Sequence, residues 1–179
     1  PPSTDPAAAR YWRWPYWDKE SLYFLSDTAL GASESLKLRL YFDRYGNEVD
    51  SYTDGTYTTL RTSGRGSVST GRSIYADRTD GGSIALESVR FARHSLRVVG
   101  HYKSDEHRER DANGTLGSHY EDELLSIGAE DRFDLGSRTA LSFGAAHHEL
   151  KPKVVFNAGN PYSLPGSLSA TDAQAGVSF

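Results

Sequence analysis

The chain has 179 residues, enough for one domain, with 24 acidic against 20 basic side chains and a formal charge of −4. That balance argues against a general nucleic-acid-binding surface. The absence of cysteine excludes a disulfide scaffold, a thiolate metal site and a cysteine nucleophile.

In chain order, "PPSTDPAAAR" reads as a loop, because its prolines lack backbone donors. It has neither the basic nor the apolar part of a signal peptide, so the chain reads as processed or excerpted. "YWRWPYWDKE" is an aromatic cluster interrupted by Pro15. A strand is predicted over 21–30, with Leu22, Phe24 and Leu30 on one face. After a turn at 31–34 comes "SLKLRLYFDRYG", in strict period-two alternation: Leu36, Leu38, Leu40 and Phe42 against Lys37, Arg39, Tyr41 and Asp43. Residues 46–82 read as a long polar loop around "GRGSVSTGRS", whose flanks are candidate extensions of the neighbouring strands. Further strands are predicted at 83–92, 96–110, 119–133, 138–150 and near the C-terminus, with a bulge where the alternation slips between Leu86 and Val89.

No stretch has helical spacing, and no run of ~18 apolar residues offers a transmembrane helix. Short turns at 31–34, 93–95 and 134–137 alternate with loops at about 46–82, 109–119 and 150–170, as in up-and-down outer-membrane barrels. The expected fold is therefore all-β: an antiparallel transmembrane barrel segment of about seven to eight strands. Leu36, Leu38, Leu40, Phe42, Leu96, Val98, Leu141 and Phe143 are expected to face lipid. Lys37, Arg39, Tyr41, Arg97, His101 and Lys103 are expected to face the lumen.

The segments "RWPYWDKESLYF", "LKLRLYFDRYGNEVDSYTDGTYTT", "HYKSDEHRERD" and "LLSIGAEDRFDL", in that order, resemble the barrel of TonB-dependent outer-membrane receptors. The resemblance implies a bacterial outer-membrane location and energised uptake of a scarce ligand such as a ferric siderophore. It implies two partners, the receptor's own plug domain and, through it, the TonB energy-coupling complex. The family's barrel has 22 strands, so this chain corresponds to its middle, without the plug.

Candidate ligand contacts in the 46–82 loop are Tyr57, Arg61, Arg65 and Arg72, since arginine suits carboxylate-bearing ligands. The histidines match no closed zinc signature, and there is no GxSxG elbow, so neither a metal, a cofactor nor a catalytic residue is assigned. The aromatic cluster fits either an interfacial girdle at the outer rim or a stacking platform. Two other architectures are compatible with the strands: a complete small outer-membrane barrel and a soluble β-sandwich with the leucine faces packed together.

Overall fold

Alternating β-branched, aromatic and leucine residues carry the chain through eight strands: β1 (Tyr11–Arg13), β2 (Trp17–Ala29), β3 (Glu34–Tyr52), β4 (Arg72–Ser88), β5 (His94–Asp111), β6 (Leu116–Asp134), β7 (Ala140–Asn157) and β8 (Leu168–Ser178). The structure is a computed structural model and describes residues 10–64, 68–160 and 162–179. Every pairing is antiparallel between chain neighbours, except that β1 and β2 both lie against β3. Pro15, which has no N–H to give, falls in the break between β1 and β2.

The sheet is open. β8 pairs only with β7, and β2 only with β3, so the strands do not close into a small barrel. Nor do they form a sandwich: each strand touches only its sheet neighbours, and there is one layer. Among the described residues the buried apolar side chains are Ala85 and Ala140. Leu22 is 71% exposed and Ile127 61%. Each forgoes much of the ~1.5–3 kcal/mol that full burial contributes, so this face needs an apolar medium or partner over it.

The strands are longer and the loops shorter than the sequence pattern suggested. β3 runs on to Tyr52 and β4 begins at Arg72, which cuts the expected 46–82 loop to 53–71. The expected 109–119 loop is a four-residue turn, 112–115, and the 150–170 loop shrinks to 158–167. The extensions mix polar residues with Ile74 on β4 and Val154, Val155 and Phe156 on β7, and cross-strand polar pairs hold them. Arg72 bonds Asp50 and Glu48, His107 meets Asp77, and Lys153 meets Glu123.

No bulge is found at Leu86–Val89. The alternation slips there because β4 ends at Ser88, and the register shifts fall at Glu109/Arg110 and Glu121/Asp122. The 112–115 turn is set by Asp111. Its Oδ1 accepts the N–H groups of Asn113 and Thr115, both at 2.9 Å, and Gly114 supplies the left-handed φ of 82°. The Thr115 N–H, ahead of the other bonds, holds the Asp111 carboxyl below its ordinary pKa.

Candidate functional site

Directly paired residues project from the same side of a sheet, so the register sorts every strand residue onto one of two faces. Leu36 lies opposite Leu86, Leu86 opposite Val98, Val98 opposite Ala129, Ala129 opposite Ala145, and Ala145 opposite Ala173. Leu36, Leu38, Leu40, Phe42, Leu96, Val98, Leu141 and Phe143 therefore share one face, together with Leu22, Phe24, Ile84, Leu125 and Ile127. Lys37, Arg39, Tyr41, Arg97, His101 and Lys103 share the other.

The apolar residues form a band that slants across the strands. Its upper edge is Phe42 on β3, Tyr102 on β5, Leu125 on β6 and Ala145 on β7. Ala145 lies in the register row of Leu36, so the edge falls by three pleats between β3 and β7. At ~3.3 Å per residue and ~4.8 Å between strands, that is ~20 Å of descent over ~19 Å of sheet, a slope of about 45°. At the lower rim of the band His94 Nδ1 and Asp131 Oδ2 lie 2.7 Å apart.

The polar face is laced with pairs: Lys37 with Glu87 at 2.7 Å, Lys103 with Asp105 at 2.5 Å, and the Tyr41 hydroxyl with His101 Nε2 at 3.1 Å. Three further histidines also have partners: Asp77 for His107, Thr171 for His147 and Ser126 for His148. One group not anticipated, Glu106, His119 and Glu121, brings its ligand-type atoms within 4.8 Å of one another. It already contains a cation, since the Arg108 guanidinium bonds Glu106.

The three candidate ligand contacts among the described residues each already hold other partners. Tyr57 packs edge-on against Tyr52 and Tyr11, at 5.4 and 6.2 Å between ring centroids, and the Arg13 guanidinium lies 5.0 Å from its ring. Arg61 is turned onto its own loop, its Nε donating to the Ser63 carbonyl. Arg65 lies outside the described residues. Arg72 is not a loop residue: it belongs to β4, and the buried Asp50 holds it in a two-pronged bond of 2.6 and 2.9 Å. With Glu48 also at 2.8 Å, its charge is already matched.

The aromatic cluster divides between the two faces: Tyr11 pairs with Tyr52, on the side of the apolar residues. Trp12 pairs with Ser51 and Trp17 with Asn47, which share the polar side with Lys37 and Arg39. Trp12, Trp14, Trp17 and Tyr45 form a chain of rings with successive centroids 6.0, 6.5 and 5.6 Å apart. Pro15 interrupts the alternation here, so the parity of the cluster was not legible without the pairing.

Behind these rings is a cavity of about 260 Å³, lined by Trp12, Trp14, Tyr45 and Tyr75 and by the polar Asn47, Asp77 and Glu109, among others. Tyr45 and Asn47 lie at odd positions continuing Lys37, Arg39 and Tyr41. The strand pattern already contained Tyr45 and would have revealed Asn47 had it been carried past Gly46. No protein-family model, curated protein or solved structure matches the chain.

Proposed function

We propose that this chain is part of an outer-membrane barrel of the TonB-dependent receptor type. In this reading the apolar face meets lipid, and the polar face lines the water-filled lumen that holds the plug. The chain supplies scaffold and ligand contacts for energised uptake of a scarce ligand, such as a ferric siderophore, and carries out no covalent chemistry. Energy reaches it from the TonB complex through the plug.

The slanted band is the observation that carries this reading. A one-layer sheet whose leucines are exposed needs a cover, and bilayers select bands of this kind: about 25 Å tall and crossed by strands tilted ~35–45°. The slope of ~45° matches that tilt. The charged upper strands, paired across their ladders, then stand above the bilayer.

The test is made on cells producing the intact protein that carries this chain. It is expected in the outer-membrane fraction, resistant to alkaline carbonate. Accumulation of a ferric siderophore is expected to fall to background when a protonophore collapses the proton gradient. Recovery in the soluble fraction, or accumulation indifferent to the protonophore, would overturn the proposal.

A further inference from the structure

Two short turns beneath the band carry positive charge that the sheet does not match. One spans 89–93, between β4 and β5, and the other 135–139, between β6 and β7. The Asp134 N–H donates to the Arg93 carbonyl at 2.8 Å, which sets the two turns side by side. Together they hold Arg90, Arg93 and Arg138 and no acidic residue. All three arginines are exposed, and their guanidiniums have no hydrogen bond, ion pair or ring contact among the described residues. Carboxylates nearby are bound elsewhere: Asp134 to Arg132 at 3.1 Å, Asp131 to His94 Nδ1 at 2.7 Å and Glu87 to Lys37 at 2.7 Å. Glu34, opposite Ser88, is left against three arginines.

Apolar side chains stand between these charges. Val89 is 60% exposed, Phe91 59% and Leu135 48%. Cations interleaved with bulky apolar groups suit a bilayer interface, where the apolar groups reach the acyl boundary and the cations meet anionic headgroups. The depth agrees. Arg90 is four positions past Leu86, and Arg93 and Arg138 are three before Leu96 and Leu141 of the apolar face. At ~3.3 Å per residue and a tilt of ~45°, the three lie within about 10 Å of the hydrocarbon, in the headgroup layer and its surface potential. Arg93 also has a φ of 68°, in the left-handed region that glycine enters freely and a residue with a Cβ does not. Glycine would close this turn more readily, so the arginine side chain does not serve the backbone.

We infer that these two turns dock on the phosphate groups of anionic phospholipid in the adjoining leaflet, with Arg90, Arg93 and Arg138 bonding phosphate and Val89, Phe91 and Leu135 inserted beside the acyl chains. A guanidinium suits phosphate because its planar fork donates two parallel N–H bonds. The inference rests on the lipid-facing sheet, and neither on TonB coupling nor on the transported ligand.

The test uses the intact protein with Ala92→Cys, labelled with bimane, in phosphatidylcholine vesicles containing a minor fraction of nitroxide-bearing phosphatidylglycerol or nitroxide-bearing phosphatidylcholine. Quenching by the phosphatidylglycerol probe is expected to exceed that by the phosphatidylcholine probe about fivefold at low salt, the effect of one arginine at an anionic surface. Adding Arg93→Gly is expected to reduce the preference at least twofold while leaving the protein as stable or more so, which separates lost lipid contact from misfolding. Adding Arg90→Gln and Arg138→Gln as well is expected to abolish it, whereas Arg110→Gln at the opposite rim leaves it unchanged. Leu40→Cys, labelled in the same way, reads the sheet itself. Quenching there with none at Ala92→Cys, equal quenching by the two lipids, or a preference that survives the triple variant would overturn the inference alone. Quenching at neither position would sink the lipid-facing sheet with it. Complete loss of the preference to soluble polyglutamate would assign the turns to an acidic protein and likewise overturn the inference.

Discussion

Leu40→Arg is expected to destabilise the protein by about 2–4 kcal/mol in lipid vesicles, the cost of a guanidinium near the middle of the hydrocarbon layer. Leu40 lies within the band, opposite Phe24 and Gly82, and is 48% exposed in the sheet itself. Were that face in water, the same substitution would change stability by no more than about 0.5 kcal/mol, as exposed surface positions do. The size of the effect therefore reports the medium over the face. Leu25 gives the comparison from the other side, because it pairs with Arg39 on the polar face. Leu25→Glu is expected to change stability by less than about 0.5 kcal/mol. Urea titration in vesicles, followed by tryptophan fluorescence, measures both.

Gly81→Ala is expected to cost about 1–3 kcal/mol by overpacking. The Gly81–Gly82 pair lies at the centre of β4, and neighbours cover it on both faces. A Cβ on Gly81 would lie 2.7 Å from the Tyr41 hydroxyl and closer still to the Tyr102 carbonyl oxygen. On Gly82 it would lie 2.6 Å from the Arg39 carbonyl oxygen and 2.8 Å from Leu40 Cδ2. Backbone oxygens in a paired ladder cannot step aside as a flexible side chain does. Tyr41→Phe, which removes only the hydroxyl, is therefore expected not to rescue Gly81→Ala. Gly100 serves as the control. Its nearest neighbour, Ile84 Cγ2, would be 3.7 Å from an added Cβ, so Gly100→Ala is expected to be neutral or to gain up to about 0.5–1 kcal/mol. The same urea titrations separate the two glycines.

What the sequence revealed follows the contrast between apolar and polar positions. Within the band that contrast is strong: Leu36 to Phe42 alternate with charged and hydroxylated residues, so the pattern was enough to identify the strand and the side each residue takes. Above the band polar residues stand on both faces and the few apolar ones do not alternate with them, so the pattern carries little signal. Residues 46–82 consequently read as a long loop whose flanks were only candidate strand extensions, although Arg72–Asp50 and the unbroken β3–β4 register make 46–52 and 72–82 ladder. Arg72 was misplaced for the same reason. A polar arginine beside a glycine-rich stretch reads as loop until the strand bearing Asp50 is seen opposite it.

The cavity beside Trp12 and Trp14 draws on β1, β3, β4 and β5 together. Asn47, Tyr75 and Glu109 are far apart in the chain and carry no motif, so only the pairing register assembles them. The absence of a second layer was equally invisible in the pattern. A sandwich strand and a barrel strand show the same alternation and differ only in what covers the apolar side.

The cover on that side is open to direct measurement, since the chain has no cysteine of its own to interfere. Single cysteines placed at each position from Leu36 to Asp43 of the intact protein in vesicles, spin-labelled, report collision with lipid-dissolved oxygen and with a water-soluble nickel chelate. Labels at Leu36, Leu38, Leu40 and Phe42 are predicted to favour oxygen, and labels at Lys37, Arg39, Tyr41 and Asp43 the chelate. Chelate access equal at both sets of positions, or oxygen preference at neither, would contradict a lipid-facing sheet.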